Sequence, residues 1–202
     1  MKTILQIDSS ILGDYSVSRS LTADIVSKLM ALHPGSKVIQ HDVAAKPVLH
    51  LSDAHLAAFK GGKVDSTSLN QDLTQGNTYL DDLLAADFIV VGAPMYNFSI
   101  PSQLKSWIDR VSVAGKTFSY TAKGPEGLVK GKKAYIASTR GGIHSEGSPS
   151  ASFDHQETYL QGALAFMGIT DVTIIRAEGI NISPEMKTAA IAKAKTQIDA
   201  IK

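Results

Sequence analysis

Apolar residues occur along this chain in two alternating patterns: short continuous runs, and longer stripes in which they recur every three or four positions. The runs predict strands and the stripes predict amphipathic helices. The predicted strands lie at residues 3–7, 38–39, 88–91, 134–137 and 172–175, and the predicted helices at 21–32, 78–86, 104–111, 160–167 and from Pro184 onwards. Because strands and helices alternate, the pattern indicates an α/β fold with helices on both faces of a parallel sheet.

Two segments interrupt this alternation. Residues 44–77 are polar with weak helical patterning, and we expect either a lid or an interface arm there. Residues 117–131 predict a hairpin that is closed by the turn-forming residues 123–125. The chain has no internal repeat and no linker, so the pattern predicts a single domain over residues 1–202. Its core is a doubly wound sheet of five parallel strands with right-handed crossovers.

The composition narrows the class of protein. Apolar residues make up 44% and charged residues 19% of the chain, which is typical of a globular domain. A net charge of +1 gives no reason to expect binding to nucleic acid or to an anionic membrane, and no apolar run is long enough to cross a bilayer. The absence of cysteine excludes disulfides, thiolate nucleophiles and Cys-ligated metals. We therefore expect a cytoplasmic protein, since a chain without disulfides is compatible with a reducing compartment.

The loop after the third predicted strand carries Met95, Tyr96, Asn97 and Phe98. Such bulky side chains are poor turn formers, so something other than turn chemistry selects them. In an open α/β sheet, ligands bind beyond the carboxyl ends of the strands, which is where this loop lies. Taken alone, the segment is equally compatible with a loop that packs on a flat ligand and with one that plugs the core.

The loop after the first strand contains several hydroxyl groups before the first helix: Ser9, Ser10, Ser16 and Ser18. Hydroxyls together with the unpaired amides of a helix N-terminus form an anion site. Helix capping is the alternative, and it explains one of these serines more easily than all of them. The single glycine, Gly13, is not the glycine-rich fingerprint of a dinucleotide site, so a mononucleotide with a terminal phosphate fits better.

The loop after the fourth strand, residues 138–144, contains the pair Gly141 and Gly142, which exposes backbone amides to a ligand. His144 could donate to a ligand oxygen that gains negative charge upon reduction. The alternatives are a plain turn and a surface histidine. The other histidines are scattered along the sequence, and we expect no metal site.

Together these segments resemble the FMN-dependent NADH-azoreductase family of flavodoxin-like quinone and azo reductases. The resemblance covers nearly the whole chain. It is carried by SSI with the following S-x-S, APMYNFSIPSQLKSWID, GKTFSYTAKGPEGLVKGKKA, TRGGIH, FMGITDV and AEGI. The segments MYNF and GPEGL are the most specific of these, whereas S-x-S alone would be weak.

The resemblance implies roles for particular residues. The positions that match its phosphate-holding residues are Ser10, Ser16, Val17 and Ser18; those that match its two flavin-contacting loops are Met95, Tyr96, Asn97, Phe98, Thr139, Arg140, Gly141 and Gly142, with His144 just beyond. Tyr120 matches an aromatic residue that covers the neighbouring subunit's flavin site. Three positions depart from the family: Val17 replaces a common Gln, Thr139 a common Ser, and Ala163 an aromatic residue of some relatives. Phe166 follows the core face of its helix, so we assign it a structural role.

The function that the resemblance implies is the two-electron reduction of quinones and the reductive cleavage of azo compounds. NADH would pass hydride to noncovalently bound FMN, and the acceptor would then use the same space, which gives ping-pong kinetics. We expect a homodimer with active sites at the interface. Two other functions remain open, a one-electron flavodoxin-type carrier and a regulatory domain without a cofactor. The sequence leaves open the physiological acceptor and the choice between NADH and NADPH.

Overall fold

The computed structural model describes all 202 residues, which form seven strands and six helices. The strands are β1 (Thr3–Asp8), β2 (Lys37–Asp42), β3 (Phe88–Pro94), β4 (Phe118–Thr121), β5 (Gly124–Gly127), β6 (Lys133–Arg140) and β7 (Asp171–Glu178). The helices are α1 (Val17–Leu32), α2 (Asp53–Phe59), α3 (Thr67–Ala85), α4 (Ser102–Val111), α5 (Glu157–Met167) and α6 (Pro184–Asp199). None of the helices combines the length and the apolar character that crossing a membrane requires.

Five strands form one parallel sheet in the order β2-β1-β3-β6-β7, and β4 pairs antiparallel with β5 in a separate hairpin. This order is the flavodoxin-like form of the doubly wound fold, as the sequence predicted. The order of the strands reverses between β1 and β3, because the chain first adds β2 on one side of β1 and then β3 on the other. Ligands bind at this switch point in such folds.

The sheet separates two apolar cores because side chains alternate between its faces. Ile89 and Val91 of β3 lie in a core of 21 buried residues with α3, α4 and α5, whereas Val90 lies in a second core of 14 residues with α1 and α6. β3 continues through Gly92 to Pro94, beyond the predicted range of 88–91. A Cβ atom at Gly92 would lie 3.0 Å from Cγ2 of Thr22 and 3.1 Å from Oδ1 of Asp8, so the strand packs closely there.

Helix α3 begins at Thr67, well before the predicted 78, so the prediction for residues 44–77 missed most of this helix as well as α2. The buried face of α3 includes Asp72 and Gly76, which break the apolar stripe. Arg110 of α4 explains why these two residues are not apolar side chains. Its Nε donates to Oδ2 of Asp72 at 2.8 Å, and its Cδ would lie 2.9 Å from a Cβ on Gly76. An ion pair between helices therefore occupies positions where a hydrophobic pattern would need apolar residues.

The predicted hairpin is present, but its turn consists of Ala122 and Lys123 rather than residues 123–125, since Thr121 pairs with Gly124. Its base lies directly on the end of α5. A Cβ on Gly127 would come 2.2 Å from the backbone nitrogen of Gly168. Beyond this contact the hairpin projects outward.

We expect replacement of Asp72 by Asn to lower the free energy of unfolding by about 3–5 kcal/mol, because it leaves the buried guanidinium of Arg110 without a counter-charge. Urea denaturation measures this. Asp65 is the matched control, since it pairs with Lys63 and its side chain is 77% exposed, and D65N should leave the unfolding midpoint unchanged. Equal effects of D72N and D65N would contradict the assignment.

Candidate functional site

Three loops leave the sheet at one edge, after β1, β3 and β6. The strand register places Gly92 opposite both Asp8 and Ala137, so the three strands end at nearly the same level. Two hydrogen bonds then join the loops. The hydroxyls of Ser10 and Tyr96 lie 3.3 Å apart, and the N–H of Met95 donates to the carbonyl oxygen of Thr139 at 2.8 Å. The three loops that the sequence singled out thus form one surface.

The first loop ends in a helix N-terminus that is rich in hydrogen-bond donors. Ser16 is the N-cap of α1 and its Oγ accepts the N–H of Arg19 at 3.3 Å, so the capping interpretation holds for Ser16. It does not account for Ser10 and Ser18, which are also buried. The Ser18 hydroxyl lies 3.0 Å from that of Ser16, and the helix has no acceptor for the N–H groups of Val17 and Ser18.

This N-terminus attracts anions through neutral groups and the helix dipole, because the nearby cation is already paired. Arg19 makes two hydrogen bonds to the carboxylate of Asp42, at 2.6 and 2.9 Å, and its remaining donors contact the carbonyl oxygen of Ser10. The hydrogen bond from Arg19 holds the pKa of the Asp42 carboxyl below its usual value, so the pair is ionised at neutral pH. The side chain of Val17 packs in the core, and only its backbone faces an anion.

The second loop contains a strained turn from Tyr96 to Ser99. The backbone N–H and C=O groups of Tyr96 and Ser99 hydrogen-bond each other at 2.9 and 3.1 Å. The central residues Asn97 and Phe98 have φ values of 48° and 70°, the signature of a type I′ turn. Glycine normally occupies the second of these positions, so a phenylalanine there indicates strain that the surroundings maintain. The N–H groups of Asn97 and Phe98 find no acceptor in the chain.

Two aromatic side chains, Phe98 and Phe153, form an apolar wall beside this turn. The ring of Phe98 lies 5.1 Å from that of Phe153 and 6.0 Å from the imidazole of His144, measured between centroids. Phe98 and Phe153 remain 47% and 50% exposed, so they present an apolar face to solvent. Sequence reasoning missed Phe153. The available signal was a single bulky apolar residue in an otherwise small and polar segment, 145–155.

In the third loop the backbone passes close to the segment after β7. A Cβ on Gly141 would lie 2.8 Å from Nδ2 of Asn181, and the carbonyl oxygens of Gly141 and Gly142 accept from the N–H groups of Asn181 and Gly179. A Cβ on Gly142 would lie 3.2 Å from Nε2 of His144, so side chains pack closely against both glycines. Their backbones are fixed at the edge of the site.

The hydrogen bonding of His144 differs from what its predicted role as a donor to the ligand requires. Its Nδ1 lies 3.1 Å from the carbonyl oxygen of Ser150. Because a carbonyl only accepts, Nδ1 carries the proton, and in the neutral ring Nε2 is then an acceptor. Nε2 can donate to a ligand oxygen only when His144 is protonated.

Arg140, which the resemblance places among the cofactor contacts, turns its side chain inward. The guanidinium is fully buried and lies among Asp154, Gln156 and Glu157, so only the backbone of Arg140 is available to a ligand. Thr139 is also buried.

Tyr120 stands apart from the three loops. It is 75% exposed on the hairpin, with its ring edge-on to Phe118 at 5.5 Å. Phe166 packs against the same Phe118 at 4.5 Å and borders the core, in agreement with its predicted structural role. Three positions depart from the family pattern. At Val17 and Thr139 the backbone groups are still present for a ligand, and Ala163 is a partly buried residue of α5.

Sheet order and ligand-facing loops define a flavodoxin-like protein, and a family model described as a flavodoxin-like fold matches residues 2–201. An FMN-dependent NADH:quinone oxidoreductase of Rhizobium meliloti (strain 1021) is 54% identical over 195 residues, covering 96% of this chain and 94% of that protein. The protein of the same description from Azospirillum brasilense is 48% identical over 200 residues, covering 98% and 96%. The chain belongs to the family of these flavodoxin-like oxidoreductases.

Solved structures agree with this assignment. The azoreductase of Bacillus anthracis str. Sterne superposes with a TM-score of 0.84 at 28% identity, covering the whole of both chains. An FMN-dependent NADH-azoreductase of Bacillus anthracis str. Ames Ancestor, in complex with FMN, has a TM-score of 0.87 at 24% identity over 98% of this chain and 96% of its own. The second similarity supports the fold. The resemblance to the azoreductase family that the sequence indicated is confirmed.

The strain at Phe98 predicts a difference between two substitutions that both remove its ring. F98G should be more stable than F98A by about 1–2 kcal/mol, because glycine adopts positive φ without a steric penalty. Urea denaturation of the protein without ligand measures the difference, and the lost contacts with Phe153 cancel between the two variants. Equal stabilities would show that the turn is not strained.

Proposed function

We propose that this protein is an FMN-dependent oxidoreductase that uses NADH for the two-electron reduction of quinones and for the reductive cleavage of azo compounds. The observation that carries the proposal is the meeting of three elements at one edge of the sheet: a hydroxyl-rich helix N-terminus, a strained turn with unpaired amides, and a glycine loop. The descriptions of the two relatives name FMN, NADH and quinones, and a solved structure with a similar fold is described as an azoreductase.

The chain's residues fit FMN in both chemistry and arrangement. The buried hydroxyls of Ser10, Ser16 and Ser18, with the free N–H groups of Val17 and Ser18, suit a terminal phosphate. The unpaired N–H groups of Asn97 and Phe98 suit the polar edge of a ring. The proposed ring contacts are Met95, Tyr96, Asn97 and Phe98 on one side and Thr139, Arg140, Gly141 and Gly142 on the other, with Arg140 acting through its backbone.

When bound, FMN supplies the hydride acceptor and donor, so the protein's part is to bind, orient and tune the electrostatics of the site. The N–H groups of Asn97 and Phe98, which find no acceptor in the chain, and those of Gly141 and Gly142 would stabilise negative charge that develops on the ring. Protonated His144 would add a donor from Nε2. The apolar wall of Phe98 and Phe153 suits flat aromatic molecules, and we expect NADH and the acceptor to occupy this space in turn, which gives ping-pong kinetics.

The proposal includes a homodimer in which the hairpin of one subunit covers the other's site. Its support is the exposure of Tyr120 on a hairpin that is anchored at its base and projects at its tip. We treat residues 1–202 as one FMN-binding domain that works in the cytoplasm, where NADH is available as a donor.

The direct test is an absorbance spectrum of the purified protein, followed by anaerobic titration with NADH. We expect a flavin spectrum that bleaches rapidly with stoichiometric NADH and returns on addition of a quinone. A colourless protein that takes up no added FMN would contradict the proposal. Slow bleaching and a persistent one-electron-reduced flavin would favour the flavodoxin-type carrier.

Replacement of Ser18 by Ala tests the phosphate site separately from the ring site. A hydrogen bond to a charged group contributes about 1.5–3 kcal/mol, so S18A should weaken FMN binding by roughly 10- to 100-fold. Riboflavin, which lacks the phosphate, serves as the control ligand, and its affinity should not change. Fluorescence quenching measures both. An equal loss for the two ligands would place the phosphate elsewhere.

Replacement of Gly127 by Ala tests the role of the hairpin. The added Cβ would collide with the backbone of Gly168, so the hairpin must move while the sheet stays intact. We expect a weaker dimer by sedimentation and a lower turnover, with an unchanged far-UV circular dichroism spectrum.

The control is G162A, because a Cβ at Gly162 meets nothing within 4 Å. G162A should retain the dimer and the turnover of the wild type. A G127A variant that also retains both would argue against a hairpin that completes the partner's site.

A further inference from the structure

We propose that the side chain of Arg140 is a positioning group. It holds the ligand-facing loops after β3 and β6 in place through a buried charge cluster, and so sets the affinity and the redox potential of the bound flavin without itself touching the flavin. The cluster comprises Arg140, Asp154, Gln156, Glu157 and Glu178. The inference deepens the proposed function and rests on it.

The guanidinium of Arg140 is fully buried, and its N–H groups contact several acceptors. Nε donates to Oε1 of Gln156 at 3.0 Å. Nη2 donates to Oδ2 of Asp154 at 2.6 Å and lies 2.7 Å from Oε1 of Glu157. Nη1 has no hydrogen-bond partner in the chain and lies 3.8 Å from Oε2 of Glu178. A fully desolvated charge with three close partners has a single low-energy position.

Three of these partners, Gln156, Asp154 and Glu178, are bonded to backbone groups around the site, whereas Glu157 accepts from Nε of Arg176 at 2.9 Å. Gln156 donates from Nε2 to the carbonyl oxygen of Ala93 at 2.6 Å, at the end of β3 and just before the strained turn. Asp154 accepts with Oδ1 from the N–H groups of Gln156 and Glu157, which fixes the start of α5. A displacement of Arg140 would therefore be transmitted to the turn that carries Phe98.

Glu178 connects the cluster to the third loop. Its Oε2 accepts from the N–H groups of His144 and Ser145, at 3.0 and 3.1 Å. Burial alone would raise the pKa of Glu178, but hydrogen bonds from Ser145 and His144 and the charge of Arg140 outweigh it, so the pKa is lowered and the carboxylate is ionised. The same charge thus faces Arg140 and holds the backbone beside the two glycines.

Lysine cannot replace Arg140, because an ammonium group presents its donors from one point whereas the guanidinium spans separate acceptors in a plane. R140K therefore keeps the charge and removes the geometry. R110K is a matched control. Arg110 is as deeply buried and also pairs with a carboxylate, that of Asp72, but its partners belong to α3, to α2 and to the segment before α2, and not to the three loops.

We expect R140K to weaken FMN binding by about ten-fold or more, by analogy with the loss when a residue that orients a ligand-binding group is changed. The flavin midpoint potential should fall, because displaced amides of the third loop would stabilise negative charge on the reduced ring less well. R110K should lower the stability of the protein. It should change the FMN affinity by no more than about two-fold and leave the midpoint potential unchanged, as expected for independent sites. Unchanged affinity and potential in R140K would overturn the proposal.

A measurement without FMN separates this inference from the proposed function. Amide hydrogen exchange in the ligand-free protein should speed up over residues 141–145 in R140K and remain at the wild-type rate there in R110K. If the wild type binds no FMN, the proposed function fails, whereas the exchange result still tests the cluster. Wild-type exchange rates over 141–145 in R140K would count against Arg140 as the positioning residue.

A milder variant covers the case in which R140K does not fold. D154N removes one of the three carboxylate charges that face Arg140 and keeps an oxygen able to accept the N–H groups at the start of α5. We expect D154N to fold, to bind FMN several-fold more weakly and to show faster exchange over 141–145. Wild-type affinity, potential and exchange in D154N would overturn the proposal.

Discussion

The three central strands, β1, β3 and β6, run parallel in a register that brings Asp8, Gly92 and Ala137 to one level of the sheet. Everything in the candidate site follows from this pairing. Because parallel strands end at a common edge, segments far apart in the chain become neighbours there. A hydrogen bond between the hydroxyls of Ser10 and Tyr96, and another from the N–H of Met95 to the carbonyl oxygen of Thr139, then join them at short range.

Much of the fold could be predicted from the sequence because its inner strands and most of its helices follow simple hydrophobic patterns. The buried run 88–91 and the glycine that ends α5, Gly168 with φ 101°, are examples. Helix α3 was predicted in part, because Asp72 and Gly76 on its buried face accommodate Arg110 of another helix. A pattern read along one helix carries no information about an ion pair with the next.

The site was predictable at the level of loops and less so at the level of atoms. Serines between a strand and a helix, and paired glycines after a strand, are local signals. The inward direction of the Arg140 side chain, the acceptor state of Nε2 in neutral His144 and the position of Phe153 depend on tertiary contacts instead. Arg19 and Arg140 near the site are already paired with carboxylates of the chain, which leaves neutral donors and the helix dipole for an anion.

A crystal structure of the protein grown with FMN tests the central claim most directly. We predict the phosphate at the start of α1, within hydrogen-bond distance of the Val17 and Ser18 amides, and the ring between the 95–98 turn and Gly141–Gly142. A phosphate bound at any other place in the fold, or a ring that does not contact both loops, would contradict the account.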